Sequence, residues 1–137
     1  MSIQHFALSK EPGQQLSAHD TVVHEVSAWN GVTLHQHRFG GVEFRVGRRE
    51  LGHLHPLFAD LPFPRLIRDE LVASGRAKPH HVVPDSGWVT VPMRTASEAE
   101  NVIALLRQNH ERATNPANEP SPPGNPEARE DEKYAEQ

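Results

Sequence analysis

Two histidines separated by one leucine, His53 and His55 in "LGHLHPLFAD", are followed closely by the carboxylate of Asp60. Imidazole and carboxylate are donor types that hold zinc or a non-haem transition metal. Without a metal, the same groups act as acids and bases near neutral pH or bond an anionic or oxygenated ligand. A third ring is offered by "PHHVV", through His80 or His81, and a cationic partner by Arg65. A second H-x-H pair, His35 and His37, lies in "VTLHQH". The structural alternative is that His53 and His55 cap the end of a sheet, bond to backbone and hold the turn "PLFADLPFP".

Which of these rings can meet depends on the strands that carry them. "VTLHQH" (32–37), "GVEFRVG" (41–47) and "ELGHLH" (50–55) alternate and are separated by short glycine-containing loops, as expected for an antiparallel meander. A two-residue loop at Gly47-Arg48 sets Val46 opposite Arg49, Arg45 opposite Glu50 and Phe44 opposite Leu51, giving an ion pair and an apolar pair. Continued along the strand, this register places His53 and His55 on the apolar face with Val42, Phe44 and Val46. A three-residue loop Arg38-Phe39-Gly40 aligns Val32 and Leu34 with Val46 and Phe44 and turns His35 and His37 to the opposite face. The two H-x-H pairs are then separated, which excludes a four-histidine metal site built from them. "HHVV" (80–83) and "WVTVPM" (88–93) read as a further hairpin around "PDSG", with His80 on the face of Val82 and Val89 and able to approach His53 and His55. His81 becomes the candidate instead if Trp88 points inward.

Three stretches have helical periodicity. In "SAHDTVVHEVSAWNG", Val22, Val26 and Trp29 recur at helical spacing before the stop Asn30-Gly31. "PFPRLIRDELVASG" has Pro64 at its start, Leu66, Ile67 and Leu71 as its apolar face, and Gly75 at its end. "TASEAENVIALLRQNHERA" opens with Thr95 and Glu98 spaced as a capping box, followed by a stripe of Ala99, Val102, Ile103 and Leu106. The expected fold is α+β: an antiparallel sheet of about five strands, a three-strand meander plus a hairpin, covered by three helices in the order α-β-β-β-α-β-β-α.

Composition limits the function classes. The chain has 137 residues and no cysteine, so disulfides, thiolate nucleophiles and cysteine-bound metal centres are excluded, and neither haem nor an iron–sulfur cluster is expected. The stretch from Thr114 onward holds six of the eighteen acidic and two of the fourteen basic residues, leaving twelve of each elsewhere. A neutral domain without a basic stripe lacks the footprint of nucleic-acid binding. No apolar run is long enough to span a bilayer and no export signal opens the chain, so a cytoplasmic protein without membrane association is expected. Five of the twelve prolines fall in "TNPANEPSPPGNPEAREDEKYAEQ". The expected organisation is a flexible segment 1–15, one domain 16–113 and a disordered acidic tail 114–137. Nothing in the composition addresses oligomeric state.

The words "HRFGGVEFRVGRRELGHLH", "ADLPFPRLIRDELV" and "PHHVVPDSGWVT", with the last helix, resemble the luciferase domain, a family of small bacterial and fungal domains. The resemblance spans roughly residues 22–112, and Pro56 departs from it where a smaller residue suits a tight turn. It implies that His53, His55, Asp60, Pro62, Arg65, His80, His81 and Trp88 recur together, without implying light emission. The ligand-binding candidates are therefore His53, His55, Asp60, Arg65, His80, His81 and Trp88, lining a cleft for a small molecule at the sheet end. Two other readings stand beside it: a non-catalytic protein-interaction module with structural histidines, and a metal site formed by His53, His55 and His80.

Overall fold

A computed structural model describes residues 16–37 and 40–115. Among these, three helices and six strands follow in the order α1 (Ala18–Ser27), β1 (Val32–Gln36), β2 (Val42–Val46), β3 (Arg49–Leu54), β4 (Phe58–Pro62), α2 (Arg65–Ala73), β5 (Lys78–Pro79), β6 (Trp88–Pro92) and α3 (Ala96–Thr114). The sheet is antiparallel with spatial order β1-β2-β3-β4-β6-β5. The α+β class and the expected alternation hold, with six strands in place of five. The additional strand is β4, hidden in the sequence between Pro56 and Pro62, whose prolines read as a turn. β4 is nonetheless a central strand, paired with β3 on one side and β6 on the other. The expected segments 1–15 and 114–137 lie outside the described residues, except that Thr114 ends α3 and Asn115 caps it.

The helix ends follow from local chemistry. The Ser17 hydroxyl accepts from the Asp20 N–H at 3.0 Å, and the Thr95 hydroxyl accepts from the Glu98 N–H at 3.1 Å, each satisfying a first-turn donor. The Glu98 carboxylate reaches back to the Arg94 N–H at 2.7 Å. Gly75 closes α2 with φ +82°. The inward face of α2 is Leu71 with half-buried Ile67; Leu66 is 79% exposed, against the expectation that it packs inward.

One apolar core lies between the helices and one face of the sheet, joining Val22, Val26, Leu71, Val102, Leu105 and Leu106 to Phe44, Leu54, Leu61, Val89 and Val91. Removal of these side chains from water is the main driving force for the fold. The other sheet face carries, in register across five strands, His35, Glu43, His53, Asp60 and Thr90.

A β-bulge decides which face His53 takes. Val46 pairs with Arg49 and Arg45 with Glu50, as the tight loop predicts, but Phe44 then pairs with Gly52 and the register shifts between Phe44 and Arg45. Leu51 is the extra residue, and every side chain beyond it changes face. His53 therefore stands opposite Glu43, on the same face as His35 and turned away from Phe44, which corrects the expected register. Gly52 makes the bulge feasible: its φ is +154°, and a Cβ there would stand 3.0 Å from the Asp60 carbonyl oxygen and 3.2 Å from Leu106 Cδ2. An isolated glycine within a strand pattern is itself a bulge signal. The first hairpin has the expected register, Val32 with Val46 and Leu34 with Phe44, though Arg38 and Phe39 of its loop lie outside the described residues.

The second hairpin also differs from expectation. Its first strand is Lys78–Pro79, pairing Lys78 with Thr90 and Pro79 with Val89, and residues 80–87 form a loop. His80 removes its neighbours from any ladder, because its Nδ1 accepts from the backbone N–H groups of Val82 and Val83 at 3.0 and 3.2 Å. Both His80 and His81 are thereby placed at the polar face of the sheet.

Candidate functional site

Asp60 sits in the middle of β4 with its side chain fully buried on the polar face. Its Oδ1 accepts the Thr90 hydroxyl at 2.8 Å. Four imidazole nitrogens converge on its Oδ2: His81 Nε2 at 3.1 Å, His55 Nε2 at 3.2 Å, His53 Nε2 at 3.3 Å and His80 Nε2 at 3.6 Å. Burial alone raises the Asp60 pKa, but the surrounding imidazoles of His53, His55 and His80 favour the charged form and outweigh it. The carboxyl group is held well below the usual carboxylate range and is ionised.

Aromatic rings pack round this centre. His37, buried at the end of β1, stacks on His53 at 3.9 Å between centroids, and Trp88 backs His53 and His80 at 5.6 and 6.1 Å. Phe58 stacks on His55 at 4.3 Å and meets His81 edge-on at 5.4 Å. His53, Asp60 and His80 have no exposed side-chain surface, the His55 side chain is 15% exposed and that of His81 is 42% exposed, so solvent reaches the cluster from the His81 side.

The second nitrogen of each ring constrains its chemistry. His53 Nδ1 lies 2.7 Å from Glu50 Oε2, so Nδ1 carries a hydrogen and donates it. A neutral His53 then presents the Nε2 lone pair to the Asp60 carboxylate, and a proton or a cation between them is required to make that contact favourable. His80 is the reverse case. Its Nδ1 accepts two backbone N–H groups, so Nε2 carries the hydrogen and donates towards Asp60. His80 therefore turns an N–H towards the carboxylate from 3.6 Å, whereas His53 has the tautomer of a ligand.

Among the described residues, two groups of side chains have ligand atoms within 4.8 Å of one another: His53, His55 and Asp60, and Asp60, His80 and His81. The tautomer of His80 removes it from the second group and from the expected His53, His55 and His80 set. What remains is two imidazoles and one carboxylate, His53, His55 and Asp60, with Glu50 and His80 holding two of them from behind.

Of the residues singled out in the sequence, His53, His55, Asp60, His80, His81 and Trp88 are brought together. Arg65 is not: its side chain is 58% exposed and faces Asp69 at 3.5 Å on the surface of α2. Glu50 and Thr90 join the site without having been marked by their sequence pattern, and His37, expected on the face away from His53, stacks on it because the Leu51 bulge turns His53 to that side. The spacing of Glu50 and His53 signals a contact only once the bulge is known. The Ser86 hydroxyl donates to the Val83 carbonyl and accepts from the Trp88 N–H, holding the turn that leads into β6.

Residues 48–109 match the family model of the Luciferase domain. The matched segment contains the described side chains that surround Asp60, namely His53, His55, His80, His81 and Thr90, together with Glu50 and Trp88, whereas β1 and His37 precede it. It is narrower than the span 22–112 of the sequence resemblance. No curated protein and no solved structure matches the chain. No helix among the described residues is long and apolar enough to cross a membrane.

Proposed function

We propose that the luciferase-domain segment binds a divalent first-row transition metal through His53 Nε2, His55 Nε2 and Asp60 Oδ2. The observation that carries this reading is the placement of His53 between two carboxylates. Glu50 takes its Nδ1 hydrogen at 2.7 Å, while Nε2 faces Asp60 at 3.3 Å. A carboxylate behind a histidine is the usual second partner of a metal-bound imidazole, fixing its tautomer and making it more basic.

Distances support the same reading. Charge-assisted N–H···O⁻ bonds run at about 2.7–2.9 Å, and His55 and His53 stand farther off, at 3.2 and 3.3 Å. Donor atoms each about 2.1 Å from one metal are separated by roughly 3.0–3.4 Å for angles between octahedral and tetrahedral. Two histidines and one carboxylate leave coordination positions open and suit iron(II), with zinc, cobalt and other divalent ions also accommodated. A small oxygen-bearing molecule is the ligand class for those positions, entering beside His81 and Phe58.

The test is elemental analysis of purified protein, with melting curves recorded on adding Zn²⁺, Co²⁺ or, without oxygen, Fe²⁺. The expected result is about one metal per chain and a rise in melting temperature that Asp60→Asn and His55→Ala abolish. A protein that purifies metal-free and melts at the same temperature with each ion leaves only a hydrogen-bonded histidine cluster.

A further inference from the structure

The ladder between β3 and β4 is short, with His53 paired to Asp60 and Leu54 to Ala59. Beyond this point the Leu51 bulge carries β3 out of regular pairing, at the position where the two strands must hold their site residues in place. Asn109 of α3, buried and far away in sequence, bridges the gap. Its Nδ2 donates to the Leu51 carbonyl at 3.0 Å and to the Pro62 carbonyl at 2.9 Å. Leu51 lies two residues before His53, and Pro62 two residues after Asp60. The Asn109 amide orientation is settled by its partners, since two carbonyls require the NH₂ end while the Arg112 guanidinium donates to Oδ1. Arg112 is itself held over the Phe63 ring at 5.2 Å.

We infer that Asn109 is a positioning residue for the His53/Asp60 pair: one carboxamide on the covering helix replaces the missing ladder bond and sets the separation of the two strands that carry the site. A side chain that only filled space would not need both N–H groups aimed at carbonyls on different strands. A residue in a hydrophobic stripe would also not reach across 58 and 47 positions of sequence to those two carbonyls. The inference uses the proposed metal site for one of its two readouts and is independent of it in the other.

The experiment compares Asn109→Asp, which keeps the shape but turns a carboxylate on the two carbonyls, with Leu105→Val, a core change on the same helix. Asn109→Ala stands in should the aspartate variant not fold. Each protein is titrated with Co²⁺ against a competing chelator, and the ¹⁵N shifts of the His53 and His55 rings are recorded without metal. The expected result is a loss of cobalt affinity of about 10- to 100-fold for the Asn109 variants. Their His53 ring shifts should also move, with both readouts near wild type in Leu105→Val. Wild-type ring shifts in a folded Asn109 variant, or equal changes in Leu105→Val, overturn the inference. If the wild-type protein binds no cobalt, the metal reading fails, and the ring shifts still decide the role of Asn109.

Discussion

His53 Nδ1 and Glu50 Oε2 lie 2.7 Å apart although both belong to β3, three residues from one another. In an unbulged strand these residues point to opposite faces. The unpaired Leu51 brings them together, so one local irregularity creates both the orientation of His53 and its carboxylate partner. Glu50→Gln keeps an oxygen near Nδ1 but removes the charge. The expected outcome is a 10- to 100-fold weaker metal dissociation constant with a nearly unchanged melting temperature of the metal-free protein, measured by chelator competition and thermal denaturation.

Gly52 tests the bulge directly. With φ at +154° and the Asp60 carbonyl oxygen 3.0 Å from where a Cβ would sit, Gly52→Ala is strained both by its own backbone and by its neighbour. A loss of stability of about 1–3 kcal/mol is expected in urea unfolding. A loss below about 0.5 kcal/mol contradicts this account of the position.

The assignment of His80 as a donor separates it from His55 in experiment. His55→Ala should eliminate stoichiometric metal. His80→Asn keeps a short polar side chain able to accept from the loop backbone, and the variant should still bind one metal with reduced affinity. Equal loss in both variants, by elemental analysis of folded protein, makes His80 a ligand and contradicts the tautomer argument.

Asp60 also makes a prediction about acid. Its folded pKa is depressed below the unfolded value of about 3.9, so its ionised form contributes stability that is fully present above that value. The contribution is lost as pH falls further towards the folded pKa, because the unfolded chain takes up the proton first. In metal-free protein, the slope of stability against pH below about 4 should therefore be shallower in Asp60→Asn than in wild type. Identical slopes in chemical denaturation show that the carboxylate carries no such linkage.

Helix capping provides a control remote from the site. Thr95→Ala removes the acceptor of the Glu98 N–H and should cost about 1 kcal/mol in stability while leaving metal affinity unchanged. A change in affinity would tie the start of α3 to the site, which its position does not suggest.

Much of the fold was legible in the chain because the signals are local. Thr95, Pro64 and Gly75 mark helix ends through bonds and dihedral preferences satisfied within a few residues. The apolar spacing of α3 identified its buried face, and the odd loop of the first hairpin set its register. The grouping of His53, His55, Asp60, His80, His81 and Trp88 was also readable, as a cluster of residue types. Their geometry was not. One unpaired residue at Leu51 inverts a face, β4 forms because β3 and β6 are there to pair with it, and His80 captures the N–H groups that a strand would have used. Side-chain alternation has a period of two, so a single inserted residue reverses all that follows. Whether a residue is inserted is decided by the contacts of Gly52 with β4 and α3, and these exist only after the chain has folded.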